Sequence, residues 1–209
     1  MSEDLQTKID IVLDLALSIG LISKTARTNA VVHSLGYATL LREYGITKFV
    51  DLGSGGGLPA LPILLHMQES HGILIESNTR KANFLSYALN VIGAQTRAIV
   101  INDRVENVAT SNSYREKLDA VIARSFAPPA TTLECAIGFL NVGGILIVSE
   151  PRKSSLQDRW PESELYKFGC ELNLVADRNN FHYVVIKKIY STTDRFPRRV
   201  GVPWKRPLF

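Results

Sequence analysis

The chain of 209 residues falls within the range of one domain, large enough to bury a full core. With 45% hydrophobic and 21% charged residues it has the balance of an ordinary soluble globular protein. No apolar run approaches the roughly 20 residues of a membrane span, and the acidic start Met1-Ser2-Glu3-Asp4 is unlike a basic signal peptide, so a cytoplasmic location is expected. Cys135 and Cys170 have no C-x-x-C spacing, and His33, His66, His71 and His182 are scattered, so neither a disulfide framework nor a metal site is expected. Cys135 falls in the helical pattern Leu133, Ala136, Ile137, Leu140 and reads as a buried core thiol. The net charge is +4, but residues 195–209 hold Arg195, Arg198, Arg199, Lys205 and Arg206 and no acid, which leaves the other 194 residues at about −1.

Along the chain, apolar residues from Leu5 to Ile19 recur at helical spacing and Gly20 is a stop signal. A second helix is expected over 27–43, and together these form a short N-terminal helical extension, residues 1–45. Beyond it, short apolar runs alternate with helical patterns, the mark of parallel strands joined by crossover helices. Strands are expected near 48–52, 72–76, 97–101, 119–124, 144–149, 172–177 and 182–190. Helices are expected near 58–69, 78–92, 127–141 and 161–169, with a short turn of helix near 104–110. Only Asp177-Arg178-Asn179-Asn180 separates the last two strands, so they should form an antiparallel hairpin. The expectation is a single α/β domain of Rossmann-like type: a seven-stranded, mostly parallel sheet with an antiparallel terminal hairpin, a core over 46–194 and a basic tail over 195–209.

The segment Phe49-Val50-Asp51-Leu52-Gly53-Ser54-Gly55-Gly56-Gly57-Leu58-Pro59 is an apolar strand ending in an acid, then a glycine-dense turn, then a helix start. Glycines there permit positive φ and close approach of backbone N–H groups to a ligand. A P-loop would close with Lys-Ser/Thr, and this run closes with Leu58-Pro59. A dinucleotide fingerprint needs a third glycine where Leu58 stands. The acid-x-G-x-G-x-G loop of class I S-adenosylmethionine (SAM) methyltransferases fits throughout, which makes Asp51, Gly53, Ser54, Gly55, Gly57 and Leu58 candidate cofactor residues. In such a sheet further site residues follow successive strands. After the second come Glu76, placed to take both ribose hydroxyls, and Ser77. After the third come Asp103, Arg104, Val105 and Glu106, near where an adenine would lie; Arg104 and Glu106 read equally well as a structural ion pair. After the fourth comes Arg124, a guanidinium that needs a partner at the end of a buried strand: a cofactor carboxylate, a phosphate or the target base. The tail, with Phe196, Trp204 and Phe209 among its cations, suits phosphate neutralisation and base stacking, or else packs over the domain with its arginines solvated.

The order D-L-G-S-G-G-G-L-P, then R-K-A-N-F-L (Arg80 to Leu85), D-R-V-E (Asp103 to Glu106) and A-R-S-F-A (Ala123 to Ala127) resembles the RsmG family, also called glucose-inhibited division protein B. The resemblance covers roughly residues 30–209, including the tail R-F-P-R-R-V-G-V-P-W-K-R-P-L. It implies a SAM-dependent enzyme that methylates a guanine at N7 in 16S ribosomal RNA, acting as a monomer on the small ribosomal subunit. By the same resemblance, His33, Arg195, Arg198, Arg199, Lys205 and Arg206 would face RNA, and Arg124 would position the reacting groups. Two segments depart from the family pattern. The Arg-His-x-x-Asp-Ser segment is here Val32-His33-Ser34-Leu35-Gly36-Tyr37, and the Lys-Gly after the fifth strand is replaced by Ser149-Glu150-Pro151, with Arg152 and Lys153 following. The N-terminal extension is also shorter than is typical of the family, and these changes touch the side that the resemblance assigns to RNA more than the cofactor side.

Guanine N7 carries a lone pair and no proton, so no general base is expected. An N-P-P-[YF] motif after the fourth strand, which would suit an exocyclic amine, is replaced by A-R-S-F-A. The alternatives are a class I methyltransferase of a small molecule or protein, and a SAM- or RNA-binding module without turnover.

Overall fold

A computed structural model describes residues 3–152 and 155–209; Met1, Ser2 and Lys153, named above, lie outside the described residues. The chain divides into two compact units, 1–103 and 104–209. The helical extension belongs to the first and the basic tail to the second; neither separates as a body of its own.

In the first unit, α1 (Glu3–Ser18) and α2 (Lys24–Glu43) precede β1 (Lys48–Leu52), α3 (Ala60–His66), β2 (His71–Ile75), α4 (Thr79–Val91) and β3 (Ala98–Ile101). Gly20 ends α1 as expected: at φ +73° it lets the Leu21 amide reach back to the Ala16 carbonyl (2.8 Å). Ser23 caps α2, its hydroxyl accepting from the Ala26 amide. Arg27 ties the two helices through Asp10 (2.7 Å) and Asp14 (2.6 Å). The strands β1, β2 and β3 are parallel, with Asp51 level with Leu74 and Ile73 level with Ile99. The α3 helix is shorter than its pattern suggested because the glycine turn runs through residue 59. Its last carbonyls are taken by Arg97, which donates to Leu64 (2.6 Å) and to Ser70 just beyond (3.1 Å).

In the second unit, α5 (Val105–Thr110), β4 (Leu118–Ala123), α6 (Pro129–Ile137), β5 (Leu140–Glu150), α7 (Leu156–Arg159), α8 (Glu162–Lys167), β6 (Cys170–Arg178), β7 (Phe181–Lys188) and α9 (Val202–Lys205) follow in order. The hairpin between β6 and β7 forms as read, turning on Asn179 (φ +52°) and Asn180 (φ +67°), the pair of left-handed residues that a two-residue turn requires. β4 and β5 are parallel and β7 is antiparallel to both β5 and β6. The sheet has seven strands in the order β3-β2-β1-β4-β5-β7-β6, so the expected α/β architecture with its antiparallel hairpin is what forms. Cys135 is fully buried in α6, and its thiol is pushed far up by desolvation, as befits a core residue.

A lysine closes the core of this unit. Lys188 is fully buried at the end of β7, and its three ammonium donors go to Glu116 (2.6 Å), the Ile137 carbonyl (2.9 Å) and the Leu140 carbonyl (2.6 Å). Glu116 also accepts from the Thr192 amide (2.8 Å), so the pair fixes the chain where it leaves the sheet for the tail. Burial pushes the Lys188 ammonium below the usual lysine range, with the bond to Glu116 opposing it. Glu116→Ala strands that ammonium, and we expect a loss of about 3–5 kcal/mol in unfolding free energy at neutral pH, read by urea denaturation. The deficit should shrink as pH rises toward about 10.4, where lysine in the unfolded chain also releases its proton.

Candidate cofactor and acceptor site

In the first unit the site is built on the carboxyl end of β1. Asp51 is buried there, and the chain then turns through Gly53, Ser54, Gly55, Gly56 and Gly57. The Ser54 amide continues the ladder to the Ile75 carbonyl (3.0 Å), and the Gly57 amide closes a tight turn on the Ser54 carbonyl (2.7 Å). Glu76, buried after β2, accepts from the Gly55 amide on Oε2 (3.0 Å) and from the Asn78 amide on Oε1 (2.8 Å). Asn102, which the sequence reading passed over, fixes the Glu76 backbone by donating to its carbonyl (2.8 Å).

Part of this loop's backbone is used within the protein itself. The amides of Ser54, Gly55 and Gly57 are engaged inside the protein. Gly57, at φ +88°, is required for packing as well as for conformation, because a Cβ would collide with the Leu61 side chain. A Cβ on Gly56 would meet Ile22 Cγ2 at 2.5 Å and the Leu21 carbonyl oxygen at 3.1 Å, so the turn between α1 and α2 sits directly on this loop. Arg80 holds that turn by donating to the Ile19 carbonyl (3.0 Å). Gly55 is different: the nearest atom to a Cβ there is the Gly53 carbonyl oxygen at 3.7 Å. Of the other residues expected here, Leu58 is buried, while Ser77 and Asp103 are exposed at the ends of β2 and β3.

In the second unit Arg124 is half-buried just beyond β4, followed by Ser125 at φ +54°. Tyr183, fully buried on β7, feels it: burial pushes the tyrosine hydroxyl up and the Arg124 charge pulls it back. Tyr183 gave no signal in the sequence beyond its place in an apolar strand. Val105 is buried at the start of α5. Glu106 is 2% exposed and accepts from Arg104 (3.4 Å) and from the Gly201 amide (2.9 Å), so its carboxylate serves the ion-pair reading and anchors the tail.

The tail packs on the second unit. Arg198, expected at RNA, forms a fork with Glu134 (Nη2 to Oε2 2.6 Å, Nε to Oε1 2.9 Å), and its amide donates to the same carboxylate (2.8 Å). The Glu134 side chain is 1% exposed. Arg195 lies over the Phe196 ring at 4.7 Å, and Arg195, Arg199, Lys205 and Arg206 are exposed. His33, also expected at RNA, is instead buried on the inner face of α2, 5.9 Å from the Tyr37 ring. Glu150, at the second departure from the family pattern, is held by the Arg159 guanidinium and by the Trp160 indole N–H (3.0 Å).

This architecture is shared with solved methyltransferases. The fold superposes on an O-methyltransferase from Bacillus cereus in complex with SAH with a TM-score of 0.61, at 12% identity over 90% of this chain and 92% of that one. On the antibiotic-resistance methyltransferase Kmr the TM-score is 0.55, at 14% identity over 68% and 87%. At such identities the likeness is one of fold, and the fold is that of class I SAM-dependent methyltransferases. The family model for rRNA small subunit methyltransferase G matches residues 1–159. Curated proteins of that name include one from Rubrobacter xylanophilus, 34% identical over 170 residues (77% of this chain), and one from Dictyoglomus thermophilum, 31% identical over 183 residues (85% of this chain and 75% of the relative). The chain belongs to this family. It spans just under two thirds, 65%, of the Rubrobacter protein.

The tail geometry separates two neighbouring arginines. Arg198→Ala leaves the Glu134 carboxylate buried without its cation, and the expected loss is about 3–5 kcal/mol of unfolding free energy. Arg199→Ala should change stability by no more than about 0.5 kcal/mol. Urea denaturation of the two variants side by side checks the contrast.

Proposed function

We infer that this protein transfers a methyl group from SAM to N7 of a guanine in small-subunit ribosomal RNA. Membership of the rRNA small subunit methyltransferase G family carries the reading, and the geometry of Glu76 supports the cofactor. Each Glu76 oxygen accepts one backbone amide and keeps a second lone pair, so the carboxylate is held rigid with capacity for two ribose hydroxyls. The open side of Gly55 admits a ligand close to the backbone. Asp51 would hold the amino-acid part of the cofactor, and Ser77, Asp103 and the backbone at Arg104 and Val105 its nucleoside. The side chain of Glu106 is engaged elsewhere.

The cofactor supplies an electrophilic sulfonium methyl. The chain's own contribution is orientation, because N7 needs no proton removed and its lone pair must only be aligned. Arg124 would steady the guanine through O6, since N7 itself has to remain open. Arg195, Arg199, Lys205 and Arg206 would neutralise phosphates, with Arg198 holding the tail that presents them. A ribosomal substrate supports the expected cytoplasmic location.

The test is methyl transfer from labelled SAM to small subunits from cells lacking this protein, with mass mapping of the product. N7-methylguanine at one site is expected, and tight SAM binding with no transfer to RNA or particles would refute the reading. Glu76→Ala should weaken SAM binding at least about tenfold by calorimetry. RNA affinity should fall steeply with salt, and Arg199→Ala should reduce the log–log slope by about 0.7.

A further inference from the structure

Trp204 is an exposed indole on an unusually well-anchored turn. It is 41% exposed, whereas the other tryptophan, Trp160, is 2% exposed with its N–H bonded to Glu150. Trp204 lies on α9, only four residues long, and the surroundings of that turn hold it from several sides. The Glu106 carboxylate takes the Gly201 amide, Thr131 donates its hydroxyl to the Pro203 carbonyl (2.8 Å), and Pro203 is buried. Arg198, clamped on Glu134, donates to the Arg206 carbonyl (2.8 Å) just past the turn. Two carboxylates, each no more than 2% exposed, are thus engaged in fixing this short segment. Burying a carboxylate is costly, and leaving an indole in water forgoes its burial. The two costs coincide at one place.

What the anchored ring touches is the acceptor-side loop. Trp204 packs edge to face on Phe126, with centroids 5.3 Å apart and planes at 70°. Phe126 stands two residues after Arg124, across the left-handed Ser125. The exposed cations Arg199, Lys205 and Arg206 flank the indole in the chain. A π-face bordered by cations is the combination that holds a nucleotide, with the base stacked and its phosphates neutralised.

We propose that Trp204, braced by Phe126, is the stacking platform for a purine base of the RNA acceptor. This rests on the reading of the protein as an RNA methyltransferase, and the experiment separates the two. Steady-state methylation of unmodified small subunits is compared for wild type, Trp204→Ala and Trp204→Phe, with SAM affinity measured by calorimetry. Trp204→Ala should raise KM for the particle about tenfold, Trp204→Phe should recover most of that loss, and SAM affinity should not move. The fluorescence of Trp204, taken as wild type minus Trp204→Phe, should be quenched by a short single-stranded RNA carrying one guanine, and less by the same strand with uracil in its place. Unchanged KM and kcat in Trp204→Ala while wild type is active, or no quenching at saturating RNA, overturns the proposal. Should Trp204→Ala fail to fold, Trp204→Phe and the quenching decide it. Quenching by the guanine strand without any methyl transfer by wild type would support the platform and sink the enzymatic reading instead.

Discussion

A glutamate carboxylate accepting from backbone amides is a device that this fold uses at several places where its chain leaves regular structure. Glu76 takes the Gly55 and Asn78 amides, Glu106 takes Gly201, Glu116 takes Thr192 and Glu134 takes Arg198. Each such bond is charge-assisted and therefore short and directional, and each fixes a segment that no helix or strand ladder would hold. The glycine loop and the route into the tail have only a few backbone hydrogen bonds of their own. Acids beside them in space complete the fixing of their conformations.

That device explains which parts of the molecule were legible in the sequence. Strands were read well because each is a short apolar run with sharp borders, and β1 appears where its pattern placed it, at Lys48–Leu52. The hairpin was written in adjacent asparagines. The turns α7 and α9 were missed, since four residues are too few for helical periodicity to show. Glu76 was found because its distance from the glycine loop is set by the geometry of a strand-helix-strand unit. The pairing of Arg198 with Glu134 spans 64 residues and leaves no local trace, so a stretch of tail arginines looked uniform when one of them is structural. The same holds for His33, whose place on the inner face of α2 depends on what that helix packs against.

The two departures from the family pattern also look different once partners are known. Glu150 puts an anion in the segment where the family pattern has Lys-Gly, but Arg159 and the Trp160 indole meet it, so its charge is balanced within the protein. Its side chain is 4% exposed, which makes it an element of folding in the second unit. His33 sits beside Tyr37 in the extension. That extension bears on the glycine loop through Gly56, where the packed Leu21-Ile22 turn leaves no room for a side chain.

The N7 methylation inferred above would make sense of so much investment in holding backbone still. With no proton to remove, a side chain has little to contribute beyond placement, and the rate depends on how narrowly the lone pair and the methyl are aligned. A displacement of about 1 Å can cost 100-fold in such a reaction. Flexible side chains presented from mobile loops would lose that precision. Carboxylates that are themselves buried, and that grip amides of the loop and of the tail, convert irregular segments into rigid supports. On this view Glu76, Glu106 and Glu134 matter to the reaction without touching the reacting atoms, and the distinction between stability and function narrows at those three positions.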